Sequence, residues 1–408
     1  MIDDTLWPLP ASWRWCRFDE VARVASNLVS PSDFQNWPHI APNHIESATG
    51  RLLPYDTIAH DGVTSPKHRF LAGQVLYSKI RPYLAKVVAD FDGLCSADMY
   101  PIESELDARF LKWWMLTREF TRRAAGEQAR TVLPKINVHA LSGLPVPVPP
   151  STEQRRIVEI LEDHLSRLGA AARSLDVVAY RSRSLLLSQL AREFRPSSGA
   201  ESTLGAVADW GSGGTPKART PTFYEGGEIP WVVSGELKDD VLTEVAGRIT
   251  QEGLKESSAK WVPAGALLVA MYGATIGRLA LTTEPVTTNQ AVAHALPHQD
   301  VVTAEYMFWF LLSQRRLLVA AGQGGAQPNI SQTVLKAWPI RIPALRVQAE
   351  AVLAAHSLRD STRRLQSSAQ ALHARQGLLR GALLSAAFTG RLTGRAADDE
   401  VVEELANV

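Results

Sequence analysis

The sequence predicts an α+β fold in which two similar globular domains are separated by a pair of long antiparallel helices, with approximate two-fold symmetry. Three observations predict it. The chain repeats itself: LPVPVPP at Leu144–Pro150 returns as WPIRIPA at Trp338–Ala344, about 194 residues later. FLKWWML at Phe110–Leu116 answers to YMFWFLL at Tyr306–Leu312, LPKIN at Leu133–Asn137 to QPNIS at Gln327–Ser331, and Ala72-Gly73 to Ala264-Gly265, all in the same order. Internal repetition on this scale signals repeated structural units. Second, each proline-rich segment opens a stretch of about 40 residues with one apolar stripe at helical spacing. Third, the blocks between are short apolar runs broken by Gly, Pro and Asn, the pattern of strands and turns.

Taken in order, residues 1–149 form the first domain. GQVLYSKI at Gly73–Ile80 and AKVVADF at Ala85–Phe91 read as strands, and one aromatic amphipathic helix runs over about Ala108–Arg123. Residues 150–196 form a helical spacer. Pro149-Pro150-Ser151-Thr152-Glu153-Gln154 is a helix-start signature, a Ser or Thr followed by Glu or Gln. Val158, Leu161, Leu165, Leu168, Ala172, Leu175, Ala179, Ser182 and Leu186 then make a heptad seam. Residues 197–343 form the second domain, with its aromatic helix over about Ala304–Ala321. Residues 344–392 form the second helical spacer, with its seam expected at Val347, Ala351, Ala354, Leu358, Ser361, Leu365, Ala369, Leu372, Gln376, Leu379, Leu383 and Ala386. Residues 393–408, with Asp398, Asp399, Glu400, Glu403 and Glu404, read as an acidic frayed tail.

An isolated amphipathic helix leaves its stripe in water, so two such helices are expected to pack on each other. The domain between them lets the chain reverse, which makes the pair antiparallel. At about 1.5 Å per residue each would span roughly 60 Å. A molecule of this symmetry suits a partner with two-fold backbone symmetry, of which duplex DNA is the commonest.

Bulk composition narrows the class further. Of 408 residues, 45% are hydrophobic and 21% charged, an ordinary globular balance with room for two cores. The net charge of +1 does not advertise nucleic acid, so any DNA surface must come from local placement of Arg and Lys. The 2 cysteines, Cys16 and Cys95, both lie in the first half and argue against a disulfide framework or zinc site. The longest apolar run, Tyr306–Leu312, is too short for a membrane span, and the start of the chain has no signal-peptide pattern. A cytoplasmic protein is expected.

Catalytic patterns are missing. Gly211-Ser212-Gly213-Gly214 runs into Thr215-Pro216 rather than the Gly-Lys-Ser/Thr of a phosphate loop. There is no His-Glu-x-x-His, no Cys-x-x-Cys and no Gly-x-Ser-x-Gly, and the 10 histidines lack ligand spacing. No catalytic residue and no metal ligand is assigned. The chain reads as a binding protein.

Longer stretches carry a family resemblance. GGTPKARTPTFYEGGEIPWVVSGEL at Gly213–Leu237 and LLVAMYGATIGRLALTTEPVTTNQAVAHAL at Leu267–Leu296 resemble a target-recognition domain of type I restriction–modification specificity subunits, as does GGAQPNIS at Gly324–Ser331. AGQVLYSKIRPYLAKV at Ala72–Val87 resembles another version of that domain. PVPPSTEQRRIVEIL at Pro147–Leu161 and GLLRGALLSAAFTGRL at Gly377–Leu392 resemble the family's central and distal conserved regions. The first block departs from the pattern: it lacks the Gly-Gly-Thr-Pro opening and the Gly-Ala-Thr-Ile-Gly hairpin, which places it in a different subclass. The resemblance implies a non-catalytic DNA-reading subunit of a bacterial or archaeal complex. It implies double-stranded DNA and two modification subunits as partners, with restriction–translocation subunits in many systems. It implies no cofactor on this chain, S-adenosylmethionine, ATP and magnesium belonging to the partner subunits, which methylate adenine and restrict.

The repeat separates frame from readers. Residues common to both halves are frame: Ala72-Gly73 with Ala264-Gly265, Pro134 with Pro328, Ile136 with Ile330, and the aromatic helices with Trp113, Trp114, Trp309 and Phe310 as core. Readers are polar, on loops, and different in the two halves. The first domain offers Asn43, His44, Arg51, Lys67, His68 and Arg69, then Lys79, Arg81 and Tyr83 after a strand. The second offers Thr215, Lys217, Arg219, Ser234, Glu236, Lys238, Tyr272, Thr275 and Arg278. Arg and Lys suit guanine edges or phosphates, Asn suits adenine, and Tyr stacks or packs on a sugar. The second spacer also carries Arg346, Arg359, Arg363, Arg364, Arg375 and Arg380 against only Glu350 and Asp360, which fits either a basic solvent-exposed helix face or contact with an acidic partner surface or the DNA backbone. Other classes stay open: an orphan recognition subunit of another methyltransferase, a single-chain DNA enzyme with an unrecognised nuclease centre, and a coiled-coil scaffold.

Overall fold

The structure, a computed structural model, describes residues 6–126, 134–195, 198–322 and 329–393. The expected acidic tail beyond Thr393 lies outside the described residues, as does Pro328. The chain divides into two compact units, Met1–Leu175 with Gln370–Val408, and Asp176–Ala369. Each combines a globular part with a stretch of each long helix.

The strands of the first unit are β1 (Arg14–Arg17), β2 (Ala22–Val24), β3 (Leu28–Val29), β4 (His39–Ile40), β5 (Lys67–Phe70), β6 (Val75–Ser78), β7 (Val87–Ala89), β8 (Gly93–Cys95), β9 (Met99–Ser104) and β10 (Pro145–Val148). Its helices are α1 (Phe18–Val21), α2 (Ala108–Met115), α3 (Arg118–Ala125), α4 (Val138–Ser142) and the start of α5 (Ser151–Glu193). One sheet has the order β2-β9-β6-β7, a second β3-β5-β8-β4, and β1 pairs with β10. All four residues of β6 are buried, as a central strand covered on both faces requires. The aromatic segment expected as one helix is two. Thr117 Oγ1 donates to Trp114 O at 2.7 Å and accepts from Phe120 N at 3.2 Å, closing α2 and capping α3. Trp114 is fully buried, with ring centroids 5.3 Å from Phe388 and 5.8 Å from Trp15.

The second unit repeats this plan. Its strands are β11 (Ala200–Thr203), β12 (Ala208–Ser212), β13 (Ile229–Val232), β14 (Asp240–Leu242), β15 (Arg248–Ile249), β16 (Trp261–Val262), β17 (Leu267–Ala270), β18 (Leu279–Thr282), β19 (Val286–Thr288), β20 (Val292–Pro297) and β21 (Pro339–Ile342). Its helices are α6 (Gln251–Lys255), α7 (Ala304–Ala320), α8 (Gln332–Ala337) and the start of α9 (Leu345–Phe388). The sheets are β12-β20-β17-β18-β14 and β15-β13-β19-β16, with β11 paired to β21. In both units the small sheet sets one parallel pair, β4 with β8 and β13 with β19, beside an antiparallel one. In both, the first and last strands of the globular part close it as a two-stranded ribbon.

Both long helices enter both cores. In the first unit Ile157, Val158, Leu161 and Leu165 of α5 join Leu383, Leu384, Ala387 and Phe388 of α9. There the helices run in opposite directions, since Thr393 reaches Glu153 while Gln376 Nε2 donates to Leu168 O at 2.8 Å. In the second unit Leu190 and Phe194 join Ala351, Val352 and Ala355. The expected α5 seam is the buried or half-buried face of that helix throughout. The α9 seam needs correction. The seam holds at Ala351, Ala369, Gln376, Leu383 and Ala386 but not at Val347, Ser361, Leu365 and Leu372, which are exposed, the last two at 51% and 49%; Thr362, Gln366 and His373 face inward instead. Rotation is set at the start of the helix by Gln348, fully buried, whose Nε2 donates to Val301 O and Pro343 O.

Candidate nucleic-acid interface

Each unit carries one hairpin built on the same frame. In the second, β17 and β18 are joined by Met271–Arg278, with a 3-10 turn at Gly273–Thr275. Gly273 and Gly277 stand at φ 65° and 74°, the left-handed region that glycine enters without a Cβ clash. In the first unit β6 and β7 are joined by Lys79–Lys86, with a 3-10 turn at Pro82–Leu84. Here Arg81 and Ala85 occupy the left-handed positions, at φ 48° and 43°. The expectation that the first domain lacks this hairpin is therefore corrected. The two left-handed positions coincide, with Arg and Ala in place of the two glycines, and the 3-10 turn starts one residue later in the first hairpin.

The repeated LPKIN and QPNIS segments hold the hairpins at the base. Ile80 bridges to Lys135 and Tyr272 to Asn329. Ile136 N donates to Lys79 O and Ile330 N to Met271 O, both at 2.9 Å. Ile136 and Ile330 are buried at 2% and 0%, and the next residues, Asn137 and Ser331, cap α4 and α8. These shared residues are frame.

The side chains on the frame differ. On the first hairpin Tyr83 is 53% exposed, and Arg81 is exposed with no hydrogen bond or ion pair from its guanidinium among the described residues. Lys79 Nζ lies 5.2 Å over the Tyr100 ring. On the second, Tyr272 is 43% exposed and Arg278 is exposed and unpaired among the described residues. Thr275 Oγ1 donates inward to Tyr272 O at 3.2 Å.

The remaining candidates divide by their partners. Asn43 is exposed, while His44 turns its Nδ1 to Ala41 N at 3.2 Å in a 3-10 turn. Arg51 grips Glu46 with two hydrogen bonds of 2.8 and 2.7 Å, and that bond chiefly holds the Glu46 carboxyl down at about 2. Its charge is neutralised within the protein. Lys67 donates to Ser65 O at 3.2 Å. His68 and Arg69 are half-buried on β5; burial, then the charge of Lys79, holds the His68 pKa down.

In the second unit Gly213 and Gly214 lie so close to Thr288 and Ser258 that an added Cβ would overlap them. Trp231 Nε1 donates to Gly214 O at 3.0 Å and Tyr224 Oη to Pro216 O at 2.6 Å. The Gly-Gly-Thr-Pro segment is thus a packing device that presents the polar residues on its C-terminal side. Thr215 hydrogen-bonds Gln290, while Lys217 and Arg219 are exposed without protein partners among the described residues. Glu236 accepts from Val233 N at 2.8 Å and Ala246 N at 2.7 Å, so its carboxylate ties a loop together. Ser234 is half-buried beside it, and Lys238 is exposed.

Sequence reasoning passed over Lys86, which occupies the hairpin position of Arg278 and turns its Nζ to Pro42 O at 2.5 Å. It also passed over Trp261, 49% exposed on β16 beside the exposed Lys260. The repeat would have found Lys86; only strand pairing places Trp261, opposite Thr287.

Three of the six α9 arginines, Arg359, Arg363 and Arg380, are internal anchors, while Arg346, Arg364 and Arg375 are exposed. Arg359 Nη1 donates to Asp240 at 3.1 Å with its guanidinium 4.9 Å over Trp309, and Arg363 bonds the same carboxylate. Burial pushes the Asp240 carboxyl up, but the Arg363 bond, Val241 N and the two guanidinium charges carry it below its usual value. Arg380 donates to Ala48 O and Thr49 O at 3.2 and 2.8 Å. Trp113, Trp114, Trp309 and Phe310 are all buried, as core. Among the described residues no three His, Cys, Asp or Glu side chains cluster to hold a metal ion, and no helix is long and apolar enough to cross a membrane.

Two repeats of one α+β plan, each presenting divergent polar loops and sharing two long helices, define a two-domain recognition protein. The family model of the type I restriction modification DNA specificity domain matches residues 196–366. The specificity subunit of the type I restriction enzyme EcoDI of Escherichia coli is 52% identical over 188 residues, 46% of this chain and 42% of that one. That of EcoR124I/EcoR124II, also of Escherichia coli, is 25% identical over 59% of this chain and 60% of its own. The matches thus span less than two thirds of these curated relatives. Among solved structures, one of a type I restriction–modification system matches with a TM-score of 0.80 at 21% identity over 95% of this chain and 100% of that one. The HsdS subunit from Thermoanaerobacter tengcongensis matches with a TM-score of 0.59 at 22% identity over 96% and 100%. Over residues 196–366 the chain is thus similar to the type I restriction modification DNA specificity domain, and over most of its length it shares the fold of these solved structures.

Proposed function

We propose that this chain is the non-catalytic DNA-reading subunit of a cytoplasmic type I complex. Each unit reads one half of an interrupted site in double-stranded DNA, with α5 and α9 as the spacer. Two modification subunits dock on it and methylate adenine, supplying S-adenosylmethionine binding themselves; restriction–translocation subunits bring ATP and magnesium. The observation that carries this reading is the shared hairpin frame with an exposed tyrosine and an arginine unpaired among the described residues at different places on it. Such side chains suit direct contacts to base edges and phosphates. Methylome sequencing of the host with and without this chain tests it. Loss of adenine methylation at one bipartite motif is expected; an unchanged methylome would sink the proposal.

A further inference from the structure

The first hairpin puts non-glycine residues, Arg81 and Ala85, at both left-handed positions, and of the two only Arg81 carries a side chain that reaches beyond the turn. Gly273 and Gly277 meet the left-handed turn of the second hairpin with the residue best suited to it. The first hairpin enters the left-handed region at the matching position with Arg81 at φ 48°, where an L side chain is strained. Strain at a non-glycine residue persists where the surroundings over-determine it, and at Arg81 it holds a long cationic side chain at the loop. Yet Arg81 does nothing for the fold: it is exposed and its guanidinium meets no hydrogen-bond or ion-pair partner among the described residues. Its backbone N is held by Pro134 O at 2.7 Å, Ile80 bridges to Lys135, and Pro82 comes next, so the stem is fixed while the head is free. A rigid stem with an unsatisfied planar fork of donors is the arrangement for bidentate recognition of an acceptor pair.

We infer that Arg81 is a specificity-determining residue of the first unit that reads a guanine in its half-site through the O6 and N7 edge. In the second unit the equivalent backbone position is bare and the free cation of the hairpin is Arg278, at the other end of the turn. The two tips therefore carry the same chemistry, one tyrosine and one free arginine, at different places on one frame. That lets a duplicated unit read a different half-site without changing its fold.

This inference rests on the proposed DNA-reading role, and its test separates the two. The full chain, assembled with its modification subunits, is titrated with a duplex carrying the host's methylated motif and with duplexes scrambled in one half. If the unaltered complex shows no preference for the motif, the reading of function fails. If it does, Arg81→Gly is compared with it. Glycine suits this backbone, so thermal stability is expected to hold or rise while affinity for the motif falls about 10- to 100-fold. The same loss is expected from 7-deazaguanine at one guanine of the first half-site, with no further loss when both changes are combined. Arg81→Lys, which keeps charge but not the fork, should recover little. Unchanged affinity in Arg81→Gly would overturn the inference. So would an equal loss on all duplexes with a salt slope reduced by about 1, the mark of a phosphate contact.

Discussion

Gln154 and Gln348 show how much one side chain can do in a repeated frame. Gln154 Nε2 donates to Pro149 O at 3.0 Å while its Oε1 accepts from Asp107 N at 3.0 Å, just where α2 begins. Gln348 does the same in the second unit, donating to Pro343 O at 2.9 Å and Val301 O at 2.8 Å and accepting from Thr303 N at 3.1 Å. Each glutamine is buried and pins a long helix to the start of an aromatic one. Ser151-Thr152-Glu153-Gln154 was legible as a helix start because that signal is local. The partner of Gln154 was not, because it comes from 47 residues away and the side chain turns outward from its own first turn. Gln348→Ala takes the partner from Pro343 O in the core and from Val301 O and Thr303 N at its edge, at about 1–3 kcal/mol for a group left buried and unsatisfied. The full chain is expected to unfold at clearly lower denaturant, with its slope unchanged. A loss under about 0.5 kcal/mol would place the pin elsewhere.

Among the elements, α9 is the one whose face was misread, and the repeat itself would have corrected it. Leucine spacing alone favoured Leu358, Leu365 and Leu372. Moving the α5 seam along by the repeat offset instead carries Leu168 to Thr362, Ala172 to Gln366, Leu175 to Ala369, Ala179 to His373 and Ser182 to Gln376, the face that is buried or half-buried. A polar seam hides from hydropathy because burial there comes from both ends being locked into cores, not from apolar drive along the middle. The hairpin of the first unit hid for a similar reason: Arg81-Pro82-Tyr83-Leu84-Ala85 shares no letters with Gly273-Ala274-Thr275-Ile276-Gly277, while the two left-handed ends are common. In the free chain, Leu365→Lys and Leu372→Lys should each stay within about 0.5 kcal/mol, as surface changes do. Leu383→Ala, at 3% exposure in the first core, should cost about 2–5 kcal/mol. Denaturant midpoints on the three variants decide; the reverse ranking would restore the leucine seam.

For the whole molecule, the duplication was plain in the sequence, whereas the contact surface was not, since a net charge of +1 conceals where unpaired cations lie. Many charges cancel within the protein: Arg51 with Glu46, Arg315 with Asp239, Arg359 and Arg363 with Asp240. Among the cations left unpaired in the described residues, Arg81 in one unit and Lys217, Arg219, Lys238 and Arg278 in the other fall on loops of separate cores. Residues that share no partner and no core contribute independently to binding. Lys217→Ala or Arg278→Ala should therefore weaken binding at one half-site and spare the other. Combined with Arg81→Gly, their losses should add to within about 0.5 kcal/mol. Competition between duplexes altered in one half or the other reads this directly. A single change that weakened both half-sites equally, or a double change much milder than the sum, would mean that the two units do not read DNA separately.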